Sequence, residues 1–193
     1  MKLVFATNNQ HKISEITSLL SNKIDILSLR DIKCFHDLEE SGDTLISNAL
    51  QKARFIYDTY NIDCFADDTG LEIISLDGAP GVYSARYAGP LCIAEDNIKK
   101  VLSELSSNKD RSAVFRTIIA LILNGEEIIF EGVCYGVITK RKQGVNGFGY
   151  DPIFMPTDYN LTFAQMTLKE KSVISHRGMA VKKLASFLSQ YFL

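Results

Sequence analysis

The sequence predicts an α/β protein built on a mixed β-sheet with flanking helices. In the first third of its 193 residues, short apolar runs alternate with stretches of helical periodicity, the order from which parallel strands are built. Later, two long strand-like segments, residues 112–123 and 127–139, are joined through Asn124-Gly125. That dipeptide is the strongest short hairpin signal, so this pair is antiparallel and the sheet is mixed.

The first strand is the apolar run Leu3-Val4-Phe5-Ala6, which stops in six polar residues, Thr7-Asn8-Asn9-Gln10-His11-Lys12. Ile13, Ile16 and Leu20 then recur at helical spacing. A strand, a polar turn and a helix start form a frequent anion site, because unpaired N–H groups there favour negative charge. No glycine is present, so neither the dinucleotide fingerprint nor the phosphate-loop pattern fits. Taken alone, the stretch reads as a well-capped helix, since Asn and Thr are ordinary cap and turn residues.

A second strand covers residues 24–29. Residues 44–60 form a helix whose Leu45, Ala49, Ala53, Ile56 and Tyr57 make one apolar arc. Residues 63–66 are a short strand ending in the turn-like Asp67-Asp68-Thr69-Gly70, and residues 71–76 are another, closed by Asp77-Gly78 and Ala79-Pro80-Gly81. A helix over residues 93–105 precedes the hairpin, and residues 146–152 form a loop. Thr167-Leu168-Lys169-Glu170 fits a capping box. The closing helix starts near His176 and buries Ala180, Leu184, Phe187, Leu188 and Tyr191. With no internal repeat and no linker, residues 1–193 read as a single domain.

Composition narrows the function classes. A net charge of −2 argues against a broad nucleic-acid surface. The longest apolar run, residues 118–123, is far too short to cross a bilayer, and no secretion signal is visible. Cys34, Cys64, Cys92 and Cys134 are widely spaced and read as reduced, partly buried thiols of a cytoplasmic protein.

Four places carry polar groups suited to chemistry. Asp67 and Asp68 are adjacent carboxylates at the end of an apolar strand, and alternation lets only one of them readily face a given pocket. The bland alternative is a solvated turn. Glu39 and Glu40 precede a helix, where negative charge is favourable in any case. If one carboxylate from each pair converges, the site suits a hard cation such as Mg²⁺. Lys52 lies at the edge of its helix's apolar arc, four residues after Asn48. It either snorkels to water or shares a pocket with the acids. The loop Gly147-Phe148-Gly149-Tyr150-Asp151 sets aromatics between glycines, either to stack on a base or to anchor the loop. Lys171, His176 and Arg177 add donors near a helix start. No serine-hydrolase elbow accompanies the three histidines. Carboxylates, spaced cations and an aromatic loop together suit a metal, a triphosphate and a base.

Seven stretches, occurring in order along essentially the whole chain, make it resemble the inosine/xanthosine triphosphate pyrophosphatase family. They are Ala6-Thr7-Asn8-Asn9-Gln10-His11-Lys12, Glu39-Glu40-Ser41-Gly42-Asp43-Thr44, Asn48-Ala49-Leu50-Gln51-Lys52-Ala53, Ala66-Asp67-Asp68-Thr69-Gly70-Leu71, residues 78–86, residues 147–154, and Glu170-Lys171 with Ser175-His176-Arg177. The resemblance implies Mg²⁺-dependent hydrolysis of ITP, dITP or XTP to the monophosphate and pyrophosphate. It also implies a homodimer and a two-lobed fold with the nucleotide cleft between lobes. By motif, Thr7, Asn8, Asn9, Gln10, His11 and Lys12 are expected to cradle phosphates, and Glu40 and Asp68 to hold Mg²⁺. Asp68 is also the expected proton acceptor. Lys52, Thr69 and Arg86 are expected to contact substrate, and Phe148, Gly149, Tyr150, Asp151, Lys171, His176 and Arg177 to wall the base. Ser47 and Gln165 depart from the pattern, standing where acids are frequent. Competing readings are a general nucleotide phosphatase that releases orthophosphate, a nucleotide sensor without catalysis, and a nucleic-acid-binding module, the last opposed by the absence of a basic stripe.

Overall fold

Apolar alternation and turn chemistry place most elements where the sequence predicts them. The structure is a computed structural model that describes residues 2–20 and 24–191. Strand β1 (Lys2–Phe5) leads into helix α1 (Gln10–Leu19), then strand β2 (Asp25–Leu27), helix α2 (Leu45–Tyr60) and strand β3 (Cys64–Ile73). Strand β4 (Pro80–Gly81), helix α3 (Ala94–Glu104), and strands β5 (Ser112–Leu123) and β6 (Glu126–Ile138) follow. Strand β7 (Phe154–Pro156), helix α4 (Leu168–Ile174) and helix α5 (His176–Tyr191) complete the order. Among the described residues, no helix is long and apolar enough to cross a membrane.

The sheet runs β2-β1-β3-β5-β6-β7, with β4 paired to β3. β1 pairs parallel to both β2 and β3, whereas β4 on β3 and β7 on β6 are antiparallel, so the sheet is mixed. The register Phe5↔Phe65 stacks the two rings at 4.6 Å, worth about 0.5–1.5 kcal/mol beyond the area they bury. Asn124 and Gly125, at φ 51° and 84°, turn β5 into β6 as a two-residue hairpin requires.

The structure corrects three readings. The strand over residues 71–76 is not separate, since β3 ends at Ile73 and Ile74–Leu76 is a 3-10 helix. Asp67-Asp68-Thr69-Gly70 is not a turn, because β3 passes through it unbroken to Ile73. β3 is a central strand between β1 and β5. Past its pairing with β1, the Asp67 carbonyl is taken by the Lys52 ammonium, so tertiary partners outweigh the local turn preference of Asp-Thr-Gly. Tyr191 is 46% exposed rather than buried. Its hydroxyl accepts from Asn124 Nδ2 at 3.1 Å, so the ring lies at the surface beside the hairpin turn.

The residues group into two compact units. The first takes in the chain up to Asp68, Thr117–Gly132, and the chain from Arg177 onward. Its core joins Leu3, Phe5, Ile16, Phe65, Ile119, Leu121 and Leu184. The second takes in Thr69–Arg116 and Val133–His176. There Phe115 stacks against His176 at 4.4 Å and meets Phe154 edge-on at 4.7 Å.

Candidate active site

In the first unit, α1 begins with Asn9 as its cap, whose Oδ1 accepts from the N–H groups of His11 (3.0 Å) and Lys12 (3.2 Å). Those two helix-start donors are therefore already capped, as the bland reading of the stretch had it. Thr7 is half-buried and its Oγ1 accepts from Asn9 N–H at 3.2 Å, while the side chains of Asn8, Gln10 and His11 are exposed. Lys12, three residues past the cap, turns its ammonium inward, 3.0 Å from Asp67 Oδ1.

Asp67 and Asp68 are both buried, and strand alternation separates their partners. Asp67 meets Lys12 and Arg177, the latter through Nε at 3.3 Å. Asp68 accepts from Asn48 Nδ2 at 3.2 Å and lies 3.9 Å from Lys52. A solvated turn is thereby excluded for both. Lys52 is buried, donates to the Asp67 carbonyl at 2.8 Å, and makes a close ion pair with Glu40. The structure thus brings Glu40 and Asp68 onto one ammonium, and Asn48 and Lys52 into the same cluster as the acids.

These charges set each other's ionisation. Burial pushes the Asp67 carboxyl up, but Lys12, Arg177 and Lys52 outweigh it and hold the group at about 2. Burial raises Asp68 above the ordinary carboxylate range; Lys52 opposes this and Glu40 adds to it. Burial lowers the Lys12 ammonium below its usual value despite Asp67. Burial also acts to lower Lys52, yet Asp68, Glu40 and Asp67 more than offset it and hold that ammonium high. Asp67 carries a consequence for stability. Its folded value lies below the unfolded one, so its contribution is complete above about pH 4 and is lost as the pH falls toward 2. The contribution is about 2 kcal/mol. Urea midpoints followed across that window are expected to fall more steeply for the wild type than for Asp67→Asn. Identical slopes would remove Asp67 from this role.

Arg177 is 2% exposed and donates through Nη1 to Glu15 Oε2 at 2.6 Å. The resemblance places it on the base-side wall, and its guanidinium spans two buried carboxylates. Glu15 escaped the sequence reading because a glutamate between Ser14 and Ile16 looks like any solvated helix residue.

In the second unit, Lys171 and Asp151 are both buried and paired at 2.6 Å. Asp151 Oδ2 also accepts from Phe148 N–H at 2.8 Å, and the Lys171 ammonium lies 5.0 Å from the centre of the Phe148 ring. Gly147 has φ 71°, and a Cβ there would collide with the Asp151 carboxylate, so glycine is needed for both reasons. Tyr150 is buried with its hydroxyl donating to the Ser84 carbonyl at 2.9 Å, which makes it an anchor of the loop. Gly149 has φ 58° and Thr69 is half-buried on β3. Arg86 is half-buried, with its guanidinium 5.1 Å from the centre of the Tyr83 ring. His176 is buried, stacked on Phe115 and beside Phe163. Sequence reasoning missed those two rings, which ordinary strand and loop patterning does not mark.

The two departures from the family pattern have one local explanation. Ser47 and Gln165 each occupy the third position of a helical segment and close a capping box, with Thr44 and Thr162. Each keeps the acceptor that an acid supplies there.

With this geometry in hand, the comparisons are specific. The sequence model of the Ham1 family matches residues 3–187. A dITP/XTP pyrophosphatase of Christiangramia forsetii is 54% identical over 190 residues, covering 98% of this chain and 100% of that one. A dITP/XTP pyrophosphatase of Flavobacterium johnsoniae is 53% identical over 189 residues, covering 98% of each. The solved structure of the Staphylococcus aureus Ham1 protein superposes with a TM-score of 0.90 at 38% identity, covering 99% of this chain and 100% of that one.

Proposed function

The chain belongs to the Ham1 family, and from that premise we propose that it hydrolyses non-standard purine nucleoside triphosphates, ITP, dITP and XTP, to the monophosphate and pyrophosphate. The convergence of Glu40 and Asp68 on Lys52, from positions far apart in sequence, supports this reading most directly. Near-identical chain coverage by relatives named for this activity supports it independently.

The bond broken lies between the α and β phosphates. Asp68 accepts the proton of the attacking water, a role suited to a carboxylate whose affinity for protons burial has raised. Lys12 and Lys52 offset charge on the non-bridging oxygens, and Asp67 and Arg177 hold Lys12 in place. The exposed side chains of Asn8, Gln10 and His11, with Thr7, meet the phosphates. Phe148 to Asp151 and Lys171 take the base, with His176 packed behind them. Thr69 and Arg86 contact the substrate. Arg177, whose guanidinium also spans two carboxylates, completes the base-side wall.

Glu40 and Asp68 fit Mg²⁺ by chemistry. They supply hard oxygens, and both approach the one Lys52 ammonium, a donor set suited to an ion that keeps waters and takes further ligands from phosphates. When bound, it neutralises the leaving pyrophosphate.

Base choice follows from hydrogen-bond polarity. Hypoxanthine and xanthine offer O6 as acceptor and N1–H as donor, and adenine reverses both. Sites that hydrogen-bond a substrate group reject analogues lacking it by about 10⁴–10⁵. A panel of ITP, dITP, XTP, GTP and ATP, with products identified and with a chelator arm, tests the proposal. Pyrophosphate release from the first three, lost on chelation and restored by Mg²⁺, is expected. Orthophosphate release, or equal rates with ATP, would overturn it. We further propose that the active form is a homodimer in the cytoplasm, which sedimentation and fractionation test.

A further inference from the structure

Three consecutive residues before α2 are held by one face of that helix in reverse order. Gly42 N–H donates to Asn48 Oδ1 at 2.8 Å, Ser41 N–H donates to Gln51 Oε1 at 3.1 Å, and Glu40 pairs with Lys52. Positions 48, 51 and 52 share a face through three- and four-residue spacing. The approach is close enough that a Cβ on Gly42 would collide with Ser47 and crowd Asn48 Oδ1.

Asn48 is fully buried and also reaches across to β3, its Nδ2 donating to Asp68 Oδ2 at 3.2 Å. The Gly42 N–H can only donate, so it must face the Asn48 oxygen. The amide nitrogen is thereby directed at Asp68, and a flipped amide would leave both contacts unsatisfied. One buried carboxamide therefore ties the Glu40-bearing segment to Asp68.

We propose that Asn48 is a positioning residue that holds the Glu40 and Asp68 carboxylates in their working relation and aims Asp68. This rests on the hydrolytic role given to Asp68 above. Its hydrogen bond occupies Oδ2, while Oδ1 is the oxygen on the Lys52 side. Partners that orient metal-holding carboxylates typically carry 10–100-fold in activity.

The test compares Asn48→Asp with Gln51→Ala. Asn48→Asp keeps the acceptor for Gly42 but sets a carboxylate against Asp68, whereas Gln51→Ala loosens the same segment without touching Asp68. Asn48→Asp is expected to lower kcat about 10–100-fold with KM changed by no more than about threefold. Gln51→Ala is expected to cost kcat less than about threefold. Equal kcat losses in the two variants would overturn the proposal. If Asn48→Asp does not fold, Asn48→Ser removes both bonds without adding charge and carries the same kcat expectation. A thermal double-mutant cycle without metal or nucleotide reads the bridge itself. Asn48→Asp lowers Tm by about 2–4 °C, and adding Asp68→Asn restores a donor opposite the new carboxylate and recovers the loss. Additive Tm changes would overturn the bridge. A wild-type chain that cleaves none of the nucleotides overturns the hydrolytic reading instead, an outcome distinct from additivity in the thermal cycle.

Discussion

Asp68→Asn is expected to lower kcat by about 10²–10⁴-fold while nucleotide affinity stays within about tenfold. The substitution keeps the shape of the side chain and its hydrogen-bonding reach. It removes the charge and the basic oxygen that the proposed role requires. Asp68 is buried, and burial together with Glu40 raises its proton affinity above that of an ordinary carboxylate, which improves a base working near neutral pH. The fold is expected to tolerate the change. Lys52 retains Glu40 and the Asp67 carbonyl, and the new amide can turn its oxygen toward Asn48. Steady-state kinetics and calorimetric titration with ITP measure the two quantities separately. Near-normal turnover would remove Asp68 from the role of base, and a parallel collapse of binding would make it a substrate ligand instead.

Arg177→Met is expected to destabilise the protein by about 3–5 kcal/mol, because it leaves buried carboxylates without their compensating cation. Glu15 loses a partner at 2.6 Å and Asp67 one at 3.3 Å, and both acids are buried. Lys12 still meets Asp67, so the larger share of the loss is expected to fall on Glu15. For a chain of this size the change lowers Tm by roughly 10 °C. Adding Glu15→Met, which removes the stranded charge, is expected to recover part of the loss, since an apolar replacement of a buried pair is often near neutral. A Tm within about 2 °C of wild type for Arg177→Met alone would show that the guanidinium contributes little to the interior.

Local signals were strong wherever backbone chemistry decides. Asn124-Gly125 announced the hairpin because few residues accept two successive positive φ angles. Thr167 and Glu170 announced the start of α4 because their mutual hydrogen bonds lie within one turn. The apolar arc of α2 was legible because burial of one face imposes the 3.6-residue period, and Leu45, Ala49, Ala53 and Ile56 are indeed buried. The ordered motifs also named Glu40, Asn48, Lys52 and Asp68, which the fold gathers into one buried cluster.

Partnership among charges was not legible. Nothing near Glu15 in sequence distinguishes it from a solvated glutamate, yet it pairs with Arg177, 162 residues away. Asp67-Asp68-Thr69-Gly70 has the composition of a turn, and tertiary partners, among them the Lys52 ammonium on the Asp67 carbonyl, hold it within β3. The sequence by itself therefore determined most of the elements, their order and the family, because those follow from periodicity, capping and short motifs read within a few residues. Tertiary structure alone decided which cation meets which acid, since Coulomb and desolvation energies depend on distance and burial in space rather than on separation along the chain.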